Sequence, residues 1–232
     1  VISHKHKICV EYNGLRWHSE QFNNDNQKHY KKMKLAEKNG YRLISIFEDE
    51  WLERRSIVES ILNNIFGRSI RTYARKCRVV ILDSKTANQF LDDNHIQGKS
   101  NHSIHAVGLQ LEGELISCMT FGKHPRNQHQ IVLSRMCTKR GINVVGGFSK
   151  MFKHSVQNFN LNNIISWSDN RWSQGNVYVS NGFKKDVDIK PDYSYVKGQM
   201  RYSKQSHQES MIGCPQHISE RDFLIEQSIY RI

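Results

Sequence analysis

The sequence predicts a mixed α/β protein made of two domains. Three observations carry this. Short β-branched runs alternate with stretches of helical spacing, the 232 residues exceed what one small core needs, and the periodicity lapses between Gly67 and Arg78 before restarting at Val79.

Residues 5–12 have the apolar, β-branched character of a buried strand, and Asn13-Gly14 after them is a turn signal. Tyr30, Met33, Leu35 and Ala36 fall at helical spacing, which predicts a helix from Asp25 to Asn39 stopped by Asn39-Gly40. Tyr41–Phe47 reads as a second buried strand. Asp49–Phe66 reads as an amphipathic helix carrying Trp51, Leu52, Ile57, Ile61, Leu62 and Ile65.

After the lapse come a strand (79–82), a helix (86–94) and two strands (106–111 and 115–121) about a Glu112-Gly113 turn. A strand (131–136), a helix (147–159), a strand (164–168), a short helix (174–181) and final strands (183–187 and 193–196) complete the series. From Gln199 the chain is polar until Ile218 and then helical and apolar, with Phe223, Leu224 and Ile229. The expected organisation is a first domain at 1–67, a basic linker at 68–78, a second domain at 79–198 and a tail at 199–232.

A net charge of +12 and a pI near 9.5 favour a polyanionic partner, because Lys and Arg release condensed counterions when they neutralise phosphates. Nucleic acid is the expected partner. No apolar stretch approaches the roughly 20 residues of a membrane span, and no charged-then-apolar leader opens the chain, so an intracellular protein without a membrane partner is expected. The five cysteines are scattered without zinc or disulfide spacing, and reduced, structural thiols are expected. The chain begins at Val1 inside a segment of strand character, without an initiator Met, which suggests a piece of a longer protein.

Phosphodiester hydrolysis needs an activated water and neutralisation of charge on the phosphate, usually with Mg²⁺ held by carboxylates. Glu11 stands where such a carboxylate belongs, near the end of a buried strand beside Asn13. His18 follows closely as a candidate general base suited to neutral pH. The plain alternative is a strand-end surface charge and an exposed loop histidine. Trp17 reads either as a core aromatic or as a wedge against a base pair. Lys28, Lys31, Lys32 and Lys34 form a basic helix face. With Arg68, Arg71 and Arg75 of the linker they make a candidate phosphate track, against the alternative of a solvated surface.

The run Val10 to His18 resembles the strand-turn-aromatic-His segment of the very-short-patch-repair (Vsr-like) endonucleases of the PD-(D/E)XK superfamily. The resemblance continues through Lys28-His29-Tyr30, Glu37-Lys38-Asn39-Gly40 and Leu43 to Trp51. It implies a small restriction-endonuclease-like mixed sheet, similar to that of phage homing endonucleases acting on double-stranded DNA. It further implies Glu11 as the Mg²⁺-binding carboxylate, His18 as the general base, His29 as a second histidine near the scissile phosphate, and Asn13 and Trp17 as close neighbours. In this family a strand-borne Asp lies just before the position of Val1. The superfamily's usual Lys at the third place of E-x-K is Asn13 here, so His18 is expected to cover that role. Glu20, Glu48 and Asp49 rank below the histidines; for the latter two, helix capping is an equal alternative.

In the second half, Gly146-Gly147 before a helix can offer free backbone amides to a phosphate. Read with Ile164 to Asn170 and with Asn176 to Phe183, this resembles the GNAT acyltransferase fold, in particular the GNAT-like DNA-modification proteins of phages. It implies Gly146, Gly147, Ser149 and Tyr178 as binders of an acyl-CoA-like donor, with Asp169 and Tyr178 nearest the chemistry. The alternative is that the same residues are turn formers, caps and core packing in a domain that recognises DNA. Three functions therefore stand open: a metal-dependent endonuclease, a DNA-base-modifying transferase, and a non-catalytic DNA-binding piece.

Overall fold

The computed structural model describes residues 1–22, 27–187, 189, 193–207, 209–215 and 217–232. The chain is mixed α/β and folds into two compact units, Val1–Arg54 with Asp186–Ile232, and Arg55–Lys185.

The first unit begins with β1 (Ile2–Ser3) antiparallel to β2 (Ile8–Asn13). A short α1 (Leu15–His18) and α2 (Lys28–Lys38) carry the chain over to β3 (Arg42–Phe47), which lies parallel to β2 in a sheet of order β1-β2-β3. Parallel pairing of β2 and β3 requires this helical crossover. The helical start expected at Asp25 lies outside the described residues. Gly40, at φ +74, ends α2 in the left-handed region that only glycine enters cheaply. Next, α3 (Glu48–Ile65) opens on Glu48, Asp49 and Glu50, acids that suit a helix N-terminus. The Phe47 N–H donates to Glu50 Oε2 at 3.0 Å, so a side chain in the first turn holds the residue before the helix. At Arg54 the backbone leaves helical geometry (φ −127, ψ 28), and there the chain passes from one unit to the other.

The second unit holds β4 (Ile70–Tyr73), β5 (Arg78–Ile81), α4 (Ser84–Asn94), β6 (Ser103–Leu111), β7 (Glu114–Lys123), β8 (Ile131–Thr138), β9 (Ile142–Val145), α5 (Gly147–Asn158), β10 (Ile164–Ile165) and α6 (Asn176–Val179). The main sheet runs β10-β8-β7-β6-β5, antiparallel except for the β8–β10 pair. Glu112 and Gly113, both at positive φ, make the tight β6–β7 turn expected at that dipeptide. Asp83 caps α4 by accepting from Thr86 N–H and Oγ1, each at 2.8 Å. One face of the sheet buries Val107, Leu109, Met119, Phe121 and Leu133 with Phe148 and Met151 of α5. The other packs Ala106 and Cys118 against Ala87, Phe90 and Leu91 of α4. The cysteines are free, as expected.

Several expectations fail. Residues 68–78 are no linker: β4 pairs in parallel with β9, Ala74 and Cys77 are buried, and Lys150 Nζ donates to the carbonyls of Ala74 (2.9 Å) and Cys77 (2.5 Å). Of the arginines that suggested a solvated connector, Arg71 lies on β4 and Arg68 and Arg75 flank it, all three exposed. The segment 183–187 is not a strand; Phe183 instead packs on Tyr178 and Phe152. Nor is 199–232 a tail. β11 (Tyr195–Lys197), β12 (Met200–Tyr202), α7 (Glu209–Ile212), α8 (Glu220–Glu226) and β13 (Tyr230–Arg231) return to the first unit, with β11 central between β12 and β13. Val196 and Ile232 pack with Leu15 and Phe47, while Leu224 and Ile229 bury Tyr195. The domain boundaries therefore fall within α3 and near Asp186, not at 67 and 79. Among the described residues no helix is long and apolar enough to cross a membrane.

Candidate functional site

Glu11 lies on β2 with its side chain turned into the first unit, where it is about one-fifth exposed. Ser45, its direct partner on β3, donates Oγ to Glu11 Oε1 at 2.9 Å, and buried Asn13 donates Nδ2 to the same oxygen at 3.4 Å. From α2, Lys32 Nζ reaches Glu11 Oε2 at 2.9 Å, and His29 Nδ1 stands 3.6 Å from Oε1, beyond hydrogen-bond length. His29 and Lys32 are three residues apart and share one helix face. His29 first, then Lys32 and Ser45, outweigh the cost of burial and hold the Glu11 carboxyl well below the usual carboxylate range.

His18, closing α1, stacks its ring beside His29 with centroids 4.8 Å apart. Burial, then His29, Lys28 and Lys32, push its imidazole down to about 4, against a pull from Glu11. His18 Nδ1 and both ring nitrogens of His29 are buried without a hydrogen-bond partner among the described residues. A neutral His18 imidazole beside a carboxylate and an ammonium can accept a proton, and the ring nitrogens of His29 next to it can relay one or meet a phosphate oxygen.

These shifts set a pH response. The fold favours neutral His18 and ionised Glu11, so both contributions to stability are complete above pH 6.5, the ordinary imidazole value. They fade as pH falls, His18 between 6.5 and about 4 and Glu11 below its ordinary 4.5. The urea midpoint of the first unit is expected to drop through pH 6.5 to 4, and His18→Phe is expected to flatten that drop; an unchanged profile would count against the assignment.

Asn13, Glu11, His18 and His29 are thus brought together as the sequence led us to expect. Lys32 is placed differently: its ammonium is engaged by Glu11 instead of joining a surface track. Trp17 is not a core aromatic. It is 66% exposed, leans on Phe22 at 5.2 Å, and carries the Arg16 guanidinium over its ring. The weaker candidates have structural partners. Glu48 Oε2 accepts from Leu15 N–H at 2.9 Å. Arg201 Nε forks onto Asp49 (3.0 and 2.8 Å) while its Nη2 reaches Glu50 at 2.9 Å. Glu20 receives Arg231 N–H at 3.1 Å and the Arg221 guanidinium at 3.0 Å. Ser45 is the site residue that sequence reasoning missed, and Lys32 was assigned to the surface track and not to the carboxylate. The i, i+3 spacing from His29 and the lone hydroxyl within Leu43-Ile44-Ser45-Ile46-Phe47 were the available signals.

The family resemblance implies Mg²⁺. Glu11 can serve as one oxygen ligand, but its two oxygens are already engaged, and among the described residues no group of three or more His, Cys, Asp or Glu is arranged to hold a metal ion. Mg²⁺ is ordinarily held by one or two carboxylates and several waters, and among the described residues here Glu11 supplies one such carboxylate.

In the second unit Gly147 is buried, and a Cβ there would come 3.1 Å from Val144 Cγ1 and 3.4 Å from Leu109 Cδ1, so packing accounts for this glycine. Gly146 (φ +75) and Ser149 are exposed at the start of α5. Tyr178 packs edge-on against Phe148 and Phe183, and Asp169 is held by Arg171 at 2.8 Å. Arg68, Arg71 and Arg75 are exposed and belong to the second unit, whereas Lys28 and Lys31 belong to the first. No protein-family model matches the chain, and no curated protein matches it significantly.

Proposed function

We propose that the first unit is a Vsr-like, phage-type DNA endonuclease domain that hydrolyses phosphodiester bonds of double-stranded DNA, and that the second is a GNAT-like domain serving DNA recognition. The observation that carries this is the convergence of Glu11, His18, His29 and Lys32 at one strand end, with three imidazole nitrogens buried and open. In this reading neutral His18 takes a proton from water as its oxygen attacks phosphorus, the bond to the leaving oxygen breaks, and that oxygen takes up a proton from a solvent molecule held at the His29 ring. Glu11 fixes the Lys32 ammonium, whose charge offsets the negative charge gathering on the phosphate. Trp17 stacks on or wedges between bases, and Lys28, Lys31, Arg68, Arg71 and Arg75 meet backbone phosphates. A divalent metal belongs to the proposal only with a further carboxylate.

For the second unit, the resemblance gains support from the order of antiparallel strands closed by the parallel β8–β10 pair with α5 between them. The packing of Gly147 and Tyr178 and the pairing of Asp169 favour recognition over acyl transfer. The test is cleavage of supercoiled DNA with Mg²⁺: Glu11→Ala and His18→Ala should each abolish nicking while DNA binding persists. Unchanged nicking in either would overturn the assignment.

A further inference from the structure

The second unit holds a half-buried cation that no carboxylate pairs with among the described residues. Arg135 of β8 is partly withdrawn from water, and burial draws its guanidinium down from the ordinary range. Its Nη1 donates to the neighbouring carbonyl of Ser134 at 2.8 Å, while its Nε is buried with no acceptor among the described residues. Directly across the ladder on β7 stands Thr120, 0% exposed, whose Oγ1 is also buried and unpartnered.

Opposite residues of an antiparallel pair project from the same face of a sheet, so the Arg135 and Thr120 side chains leave it side by side. The ladder slips beside them, between Thr120 and Phe121, leaving Ser134 as the extra residue of a bulge. On the far side of Thr120 its partner is Ala106, which offers only a methyl group. β10 pairs with β8 as far as Val132, Ser166 Oγ donates to the Leu133 carbonyl at 3.0 Å, and among the described residues no strand pairs with this edge of β8 beyond that.

An unsatisfied buried hydroxyl costs about 1–3 kcal/mol, and a buried charge without a counter-ion costs more. Two such groups side by side at a bulge are an arrangement that a ligand oxyanion would satisfy. We propose that Arg135 and Thr120 anchor a binding site for the carboxylate or phosphate group of a small ligand. Arg135 Nε and the free guanidinium edge supply charge-assisted donors, and Thr120 Oγ1 supplies another. A buried anchor suits a small molecule better than a duplex, whose phosphates stay at the protein surface.

The test is thermal melting of the full chain with inorganic phosphate or with malonate, each balanced against NaCl at equal ionic strength. A rise with either anion, lost in Arg135→Met, supports the proposal, and the anion that acts identifies phosphate or carboxylate. Thr120→Val keeps the shape and removes the orphan hydroxyl. It is expected to raise the anion-free melting temperature by about 2–4 °C while weakening the response. Absence of a response to both anions in the wild-type chain, a response left intact in both variants, or stabilisation by a short duplex alone would overturn it.

Discussion

Replacing Arg201 by Met is expected to destabilise the first unit by about 3–5 kcal/mol, because it strands the mostly buried Asp49 carboxylate and removes one partner of Glu50. Asp49 is 13% exposed and Glu50 8%, and a single guanidinium serves both while lying 4.1 Å over the Phe47 ring. Arg201→Lys keeps a charge but neither the fork nor the flat face, so an intermediate loss is expected. Urea denaturation followed by amide exchange in β2 and β3 would measure both. A loss under about 1 kcal/mol for the Met variant would mean that Asp49 and Glu50 do not depend on this pairing.

Lys32→Met is expected to act on rate and hardly on stability. The Lys32–Glu11 pair is partly exposed, its lysine side chain 42% accessible, and pairs of that kind contribute about 0–1 kcal/mol. If Lys32 offsets charge on the reacting phosphate, its loss should slow cleavage by roughly 10²-fold or more, while Lys32→Arg recovers part of the rate. Glu11 loses an ammonium in the Met variant, so its carboxyl should move back toward the ordinary range. Cleavage at the wild-type rate in Lys32→Met would remove the lysine from the proposed chemistry.

What could be read in the sequence follows from how local each signal is. β2, β3 and the stop of α2 were legible because β-branched runs and Asn39-Gly40 act over a few residues. Glu11, Asn13, His18 and His29 were legible as candidates because they sit close along the chain or in quoted motif segments. Lys32 was read as surface because nothing local shows that β2 places a carboxylate under that helix face. β4 was missed because the basic residues in and around it masked its strand character and its partner, β9, lies some seventy residues ahead. The closing segment was missed for a related reason. Val196, Leu224 and Ile229 have no periodicity of their own, and their burial depends on contacts with Leu15 and Phe47 or with one another.

That arrangement bears on the order of events during synthesis. Leu15 and Phe47 leave the ribosome well over a hundred residues before Val196 and Ile232, which complete their cluster. At ordinary elongation rates the delay is on the order of ten seconds. The second unit, continuous from Arg55 to Lys185, meets no such delay. A nascent chain would therefore carry a finished second unit while the histidine-bearing one was still unconsolidated, and translation to the last residues would itself time the appearance of the candidate centre.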